Sequence, residues 1–299
     1  MDKFEVVLPN NKKIFGASYK KEGTTKNILI QTGMCEHATR YEPFAKMLNE
    51  EGYNVYVMDA FGQGLNASKI EDQEKWHKGA FFDNVDALGL MALRLKKEGK
   101  PLALMGHSMG SFMTQSFLER HPGIVSKVII MGSNGPNAKF VQRIGFFLSG
   151  FMVNKKNWDK EGKKIQKLAW GNYLDRIDNP KNEFAWLSVS EENVLNFMAD
   201  PYCGYPATNG FWHEFLRGLR TLYLRKNLRK IDKNQEILVI AGKEDPVGAW
   251  GKGPRALADM YRKLGVKNVE LHIYDNMRHE ILNEKDAKLV EDDIKTFLK

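Results

Sequence analysis

The stretch Gly106-His107-Ser108-Met109-Gly110 follows an apolar run, Pro101 to Met105, and precedes a helical pattern. A serine between two glycines at a strand-to-helix turn sits on strained backbone that pushes its hydroxyl away from the sheet. The spacing therefore predicts that Ser108 is a nucleophile. A glycine-rich turn with an incidental serine fits the same residues, so the choice depends on the rest of the chain.

A serine hydroxyl attacks a carbonyl only when a base takes its proton and a third group orients that base. Two later loops offer such groups: Asp245 follows a predicted strand ending at Ala241, and His279 follows one ending at Tyr274. Sites in open parallel sheets form beyond the carboxyl ends of the strands. We therefore expect Ser108, Asp245 and His279 to meet there as a catalytic triad.

Each partner has a simpler interpretation when it is taken alone. An aspartate before proline is usually a turn former, and a histidine before a helix is more often a cap or a surface residue. Glu244 competes for the role of the acid, but Pro246 places a rigid turn directly after Asp245, which favours Asp245. The chain order Ser, Asp, His, with each residue at its own strand end, favours catalysis.

The tetrahedral intermediate of acyl transfer needs N–H donors for its oxyanion. One comes from the residue after the nucleophile and another from a loop after an earlier strand, which here are the amides of Met109 and Met34. Gly33 lets that loop approach closely. Cys35 lies in the same loop near His37, but no strained elbow presents its thiol, so a cysteine nucleophile is disfavoured.

Short apolar runs alternate with helical patterns on both sides of this stretch, after an N-terminal hairpin. This rhythm predicts an α/β fold with a mostly parallel twisted sheet covered by helices on both faces. It breaks from about Ser133 to Lys233, where no strand-like run occurs. We expect a core of residues 1–132 and 233–299 with an inserted helical cap at 133–232.

The predicted cap is rich in apolar and aromatic residues, including the run Ile144 to Val153 and the tryptophans Trp158, Trp170, Trp186 and Trp212. For any one of them, packing of the cap onto the core is the expectation. As a set, they suit the wall of a pocket for an apolar ligand or a patch that touches lipid. For Ile144 to Val153 we expect burial, with weak peripheral membrane contact as the alternative.

The chain of 299 residues carries a net charge of +8, with its lysines scattered and without a nucleic-acid motif. A solvated surface is therefore expected, and no nucleic-acid partner. Cys35 and Cys203 lack metal or CxxC spacing, so neither a disulfide, a metal nor a cofactor is predicted. No export signal or apolar run of about 20 residues occurs, so a cytoplasmic location is expected.

Six motifs together resemble serine hydrolases of the α/β-hydrolase superfamily, and more narrowly its monoacylglycerol lipase and lysophospholipase-like branch. They are Gly33-Met34-Cys35-Glu36-His37-Ala38-Thr39-Arg40-Tyr41, Asp59-Ala60-Phe61-Gly62-Gln63-Gly64, Gly106-His107-Ser108-Met109-Gly110, Asp200-Pro201-Tyr202-Cys203-Gly204-Tyr205, Asp245-Pro246-Val247-Gly248 and His279-Glu280-Ile281-Leu282-Asn283-Glu284. The resemblance implies an α/β-hydrolase fold, hydrolysis of carboxylic esters and a cap that lines an acyl site.

Two positions depart from that family's pattern. Thr32 stands where the family usually has histidine before the glycine of the oxyanion loop, and Gln63 stands where it favours histidine between two glycines. Since threonine does not replace an imidazole in bracing a loop, the oxyanion loop is where this chain is expected to differ.

The predicted function is hydrolysis of lipid esters of monoacylglycerol or lysophospholipid type through an acyl-enzyme. A peptidase, thioesterase or acyltransferase on the same triad is the alternative, and a peptidase would use a cap carboxylate such as Glu191, Glu192 or Glu214 for a substrate amine. Ser108 argues against dehalogenase chemistry, which needs an aspartate nucleophile. A non-catalytic binding protein on the same fold is the remaining alternative.

Overall fold

An antiparallel hairpin and six parallel strands form one sheet in the computed structural model, which describes residues 1–299. The strands are β1 (Asp2–Val7), β2 (Lys13–Tyr19), β3 (Lys26–Gln31), β4 (Tyr53–Met58), β5 (Leu102–His107), β6 (Lys127–Met131), β7 (Glu236–Gly242) and β8 (Asn268–Tyr274). Their order in the sheet is β1-β2-β4-β3-β5-β6-β7-β8. The hairpin β1–β2 joins antiparallel to β4, and all later pairs are parallel.

Ten helices accompany the sheet. They are α1 (Glu42–Glu50), α2 (Ala80–Lys96), α3 (Met109–Arg120), α4 (Lys139–Met152), α5 (Lys163–Trp170), α6 (Glu191–Ala199), α7 (Asn209–Leu219), α8 (Arg225–Leu228), α9 (Lys252–Lys263) and α10 (Ala287–Leu298). α1 and α10 pack on one face of the sheet, whereas α2, α3 and α9 pack on the other. The predicted mostly parallel sheet with helices on both faces is confirmed. None of these helices combines the length and the apolar character that a bilayer crossing requires.

The central strands are buried on both faces, so their sequences are nearly continuous apolar runs. Because successive side chains of a strand point to opposite faces, neighbours in β3 join different clusters. Leu29 packs with the α2 and α3 side, whereas Ile28 and Ile30 pack with the α1 and α10 side. These two cores hold the carboxyl ends of the strands in fixed positions.

Residues 132–235 connect β6 to β7 and contain helices α4 to α8 but no strand. We call this segment the insertion; that it is a cap domain separate from the core stays a prediction. Its helix α7 packs onto the core through Phe211 and Phe215. The Phe211 ring lies 4.5 Å from that of Trp76, centroid to centroid, in an edge-to-face arrangement. The insertion is therefore anchored by aromatic packing.

The expectation that the run Ile144 to Val153 is buried is wrong. Helix α4 leaves Phe147 65% and Phe151 77% exposed. It meets α7 through a hydrogen bond between the Ser149 hydroxyl and Nδ1 of His213 at 2.9 Å and through packing of the Phe146 ring on the His213 ring. Leu148 and Met152 line a cavity between the insertion and the sheet, whereas Phe147 and Phe151 lie toward solvent.

We predict that truncating the fully buried Leu29 destabilises the protein. Leu29→Ala removes a side chain packed from all sides in β3, and should lower the free energy of unfolding by about 2–5 kcal/mol in a urea titration. Leu93→Ala in α2 is the matched control, since Leu93 is 41% exposed, and should change it by about 0.5 kcal/mol or less. Equal losses in the two variants would contradict this assignment of the core.

Candidate active site

The turn between β5 and α3 places Ser108 on strained backbone. Its φ and ψ are 52° and −120°, a conformation that residues with a side chain rarely adopt. Only glycine fits at the two flanking positions. A Cβ on Gly106 would collide with Thr114, and a Cβ on Gly110 would collide with the carbonyl of Gln31. The strand-to-helix turn predicted from the sequence is present, with the serine at its apex.

Asp245 and His279 lie on the loops after β7 and β8 and are hydrogen-bonded to each other. His279 Nδ1 lies 3.0 Å from Oδ2 of Asp245, and the two residues are 2% and 0% exposed. Because an ionised carboxylate only accepts hydrogen bonds, the proton is assigned to Nδ1. This tautomer leaves a lone pair on Nε2, which is buried and has no protein partner.

Ser108 and His279 both line one cavity of about 410 Å³ between the sheet and the insertion. Of its 34 lining residues, 23 are hydrophobic, so the site suits a ligand that is mostly apolar. Trp170, Trp186 and Trp212 belong to this lining, and the Trp186 ring packs 5.3 Å from the His279 ring. Three of the four tryptophans singled out in the sequence therefore face the cavity.

The two residues predicted to supply oxyanion donors also line this cavity. Met109 is the first residue of α3, so its amide has no acceptor within the helix. Met34 follows Gly33, whose Cα lies so close to Ser108 that an added Cβ would be 3.1 Å from the serine Cβ. The loop after β3 is thus packed against the turn that carries Ser108.

A buried carboxylate, Glu36, connects this loop to the turn that carries Ser108. It accepts hydrogen bonds from the amide of Gly33, from the Tyr41 hydroxyl at 3.0 Å and from Arg40 at 3.1 Å, and it pairs with Nδ1 of His107 at 3.0 Å. Burial opposes its ionisation, but these partners, His107 above all, lower the pKa of the Glu36 carboxyl to about 2. Burial would lower the pKa of His107, yet Glu36 raises it above its ordinary value.

Arg40 extends the network to the residue that follows His279. Its guanidinium donates two hydrogen bonds to Glu280, at 2.7 and 2.8 Å, and Asn193 of the insertion donates to the same carboxylate at 2.7 Å. The sequence alone does not predict that Glu36, Arg40 and Glu280 belong to the site. The signal that could identify them is their position beside predicted site residues within charged motifs.

Thr32, the first departure from the family pattern, does not brace the loop after β3 with its side chain. Its hydroxyl is buried and has no hydrogen-bond partner. The carbonyl of Gly33 instead accepts a hydrogen bond from Nε2 of Gln63 at 3.1 Å. Gln63, the second departure from the family pattern, therefore contacts the loop that Thr32 leaves unbraced.

The cysteine alternative has no support in the geometry. Burial raises the pKa of the Cys35 thiol well above its ordinary value, so the thiolate that would attack a substrate does not form near neutral pH. His37, its candidate base, pairs with Asp200 of the insertion at 2.9 Å. That histidine links the core to the insertion.

The three carboxylates considered for a substrate amine do not line the cavity. Glu214 is 1% exposed and accepts hydrogen bonds from the amide of Gly79 and from Arg217. Glu191 pairs with Lys181 at 2.6 Å on the surface. The carboxylates that do line the cavity, Glu36 and Glu280, belong to the network around Arg40.

Comparison with known proteins identifies the family to which this chain belongs. The model of the Hydrolase_4 family, described as serine aminopeptidase S33, matches residues 23–286. The chain belongs to this family. The predicted membership of the α/β-hydrolase superfamily is confirmed with it.

Individual relatives of this Hydrolase_4 protein carry lipase names. It is 25% identical to a monoacylglycerol lipase of Mycolicibacterium smegmatis, over 91% of this chain and 87% of that protein. It is 27% identical to lysophospholipase L2 of Escherichia coli, over 42% of this chain and 37% of that protein. The predicted similarity to the monoacylglycerol lipase and lysophospholipase-like branch is confirmed.

A solved structure shares the fold along the whole chain. A thermostable carboxyl esterase from Bacillus coagulans, in complex with glycerol, superposes with a TM-score of 0.88, covers 100% of this chain and 98% of its own, and is 24% identical. The α/β-hydrolase fold class predicted from the sequence is confirmed.

We predict that Glu36 makes the folded protein acid-sensitive. Because folding lowers its pKa, its contribution to stability is present above the unfolded-state value of about 4.3 and is lost as pH falls through the folded value. Glu36→Gln should therefore be less stable near neutral pH, and its urea midpoint should fall less than that of the wild type between about pH 5 and about pH 3.

The matched control for that experiment is Glu42→Gln. Glu42 lies on the surface in α1 and pairs with Lys46 at 2.7 Å, and solvent screens an exposed pair of this kind. Its profile against pH should stay much closer to that of the wild type than the profile of Glu36→Gln does. A profile for Glu36→Gln parallel to that of the wild type would show that Glu36 is not the group responsible.

Proposed function

We propose that this chain is a serine hydrolase that cleaves carboxylic esters of monoacylglycerol or lysophospholipid type through an acyl-enzyme on Ser108. One observation carries the proposal: the free Nε2 of His279, whose Nδ1 is bonded to Asp245, belongs to the same apolar cavity as the strained Ser108. A base oriented by a buried acid, on the same cavity as a serine hydroxyl, is the set of groups that nucleophilic acyl transfer needs.

In the proposed mechanism, Ser108 Oγ attacks the ester carbonyl while His279 Nε2 takes its proton. Asp245 stabilises the resulting imidazolium, and the amides of Met34 and Met109 donate to the oxyanion. His279 then gives the proton to the departing alcohol, which leaves an acyl group on Ser108. A water molecule, deprotonated by His279, attacks this acyl-enzyme, and collapse of the second intermediate releases the acid and the free serine.

The apolar lining supports a fatty acyl group as the part of the substrate that is buried. The names of the relatives, monoacylglycerol lipase and lysophospholipase, agree with such a substrate. The family description names an aminopeptidase, but the cavity carboxylates Glu36 and Glu280 both bind Arg40. Neither is free to hold a substrate ammonium group, which favours the ester over the peptide.

We also propose that the insertion is a cap that touches a lipid surface through α4. Its exposed apolar side chains include Phe140, Phe147 and Phe151. Exposed cations, Lys139 and Arg143, lie on the same helix. A helix with apolar side chains in the open and cations beside them suits binding to anionic interfaces, where substrates of this kind reside.

A cytoplasmic location belongs to the same proposal. Cys35 and Cys203 are both free thiols, and free cysteines in place of disulfides are typical of reducing compartments. The proposal involves a small ester substrate and no nucleic acid.

We expect Ser108→Ala to reduce hydrolysis of monoacylglycerols and of medium-chain p-nitrophenyl esters by at least about 10³-fold, because the acyl-enzyme can no longer form. Ser116→Ala in α3 is the matched control, since Ser116 is buried at 2% exposure and outside the cavity lining. It should retain activity. Undiminished turnover by Ser108→Ala, with no fluorophosphonate labelling of wild-type Ser108, would refute the proposed function.

Lipid contact through α4 predicts a separable effect. Replacing Phe147 and Phe151 together by serine should reduce sedimentation with anionic vesicles about tenfold or more, since each loses roughly 1.5–3 kcal/mol of apolar transfer. Leu289→Ser in α10 is the control, because Leu289 is 60% exposed away from the insertion. Vesicle binding that is equal in all three proteins would rule out α4 as the contact.

A further inference from the structure

The peptide group between Gly33 and Met34 contains both an oxyanion donor and a hydrogen-bond acceptor. Its N–H belongs to Met34, and its C=O belongs to Gly33. In a planar trans peptide these two bonds point in opposite directions. A partner that holds the carbonyl oxygen of Gly33 therefore fixes the direction in which the Met34 N–H points.

Gln63 is that partner. Its Nε2 donates to the Gly33 carbonyl oxygen at 3.1 Å, and the residue is 0% exposed. The orientation of the side-chain amide follows from chemistry, because a carbonyl oxygen accepts and only the amino end of glutamine donates. The bond spans 30 positions of sequence and joins the loop after β4 to the loop after β3.

The remaining contacts of the loop hold its other peptide groups. Glu36 accepts from the amide of Gly33, Glu74 accepts from the amide of Cys35 at 3.3 Å, and Gly204 of the insertion donates to the Cys35 carbonyl at 3.1 Å. The Thr32 hydroxyl has no partner. The Gly33 carbonyl thus depends on Gln63 for its side-chain contact.

The surroundings of Gln63 keep it in place. The Glu74 carboxyl lies beside the Gln63 amide and the Tyr205 hydroxyl. Burial raises the pKa of the Glu74 carboxyl well above its ordinary value, although its contacts with Cys35, Gln63 and Tyr205 act in the opposite direction. Oε1 of Gln63 is buried without a hydrogen-bond partner, so the bond from Nε2 to the Gly33 carbonyl is the one that fixes this side chain.

We propose that Gln63 is a positioning residue of the oxyanion hole. It holds the carbonyl of Gly33 so that the Met34 N–H is aimed at the oxygen that becomes negative in the transition state, a role that Thr32 does not fill. The inference rests on the proposed ester hydrolysis. Gln63 does not touch the substrate; it acts through the peptide group.

The first test compares Gln63→Met with Gln235→Met. Both substitutions remove a buried amide donor. Gln235 is 1% exposed, and its Nε2 donates to the Val125 carbonyl at 3.2 Å. This bond lies just before the amino ends of β6 and β7, away from the carboxyl ends where Ser108 lies. Loss of an oxyanion donor costs about 10²–10³-fold in kcat, so misaiming one should cost about 10–100-fold. KM should stay within about twofold, because the oxyanion exists only in the transition state. Gln235→Met should keep the wild-type kcat.

The second test uses Gln63→Glu, which preserves shape and is independent of how Gln63→Met folds. The introduced carboxyl donates to the Gly33 carbonyl only while it is protonated. Its kcat should therefore approach the wild-type value at low pH and fall as pH rises through the pKa of that carboxyl, whereas the wild-type kcat should be sustained over the same range. A purely structural role would move stability and leave the shape of the kcat profile unchanged.

The outcomes separate this inference from the function on which it rests. Suppose that Ser108→Ala abolishes turnover, while Gln63→Met keeps the wild-type kcat or the pH profile of Gln63→Glu runs parallel to that of the wild type. This result would overturn the role of Gln63 and leave the proposed function standing. Turnover that persists in Ser108→Ala would overturn the proposed function and this inference together. The inference is supported if Gln63→Met, but not Gln235→Met, has a lowered kcat at constant KM, and if the kcat of Gln63→Glu falls as pH rises.

Discussion

The buried carboxylate of Glu36 is the point at which the loops of the site meet. It binds the amide of Gly33 in the loop after β3 and the histidine that precedes Ser108, and through Arg40 it reaches Glu280, beside His279. Charges this far from water are tolerated only when nearly all their hydrogen bonds are made. The relative positions of three loops are therefore fixed by one set of ionic contacts, and the insertion joins it through Asn193.

Much of the fold follows from local patterns in the sequence. Strands such as β4 and β6 consist mostly of buried apolar residues, which is the pattern that predicts strands of a mostly parallel sheet. Ser108, Asp245 and His279 were identifiable because each follows such a strand, and parallel strands bring their carboxyl ends to one edge of the sheet. The structure places Asp245 and His279 in contact and puts Ser108 and His279 on one cavity. Their catalytic roles remain part of the proposal.

Other features depend on contacts that no local pattern encodes. The partners in the pairs Glu36–His107 and Arg40–Glu280 are separated by 71 and 240 residues in the sequence. Each charged residue therefore has the sequence pattern of an ordinary surface residue. Helix α4 shows the same limit differently. Its periodicity indicates an apolar side, but which side is covered depends on α7, which meets α4 through Ser149 and leaves Phe147 in solvent.

The hydrogen bond from Gln63 to Gly33 has an evolutionary consequence. If Gln63 positions the Gly33–Met34 peptide as proposed, the residue that holds this peptide comes from a different loop, and positions 32 and 63 depend on each other. A threonine at position 32 would then be compatible with activity only beside a buried donor at position 63, which makes the two positions an epistatic pair.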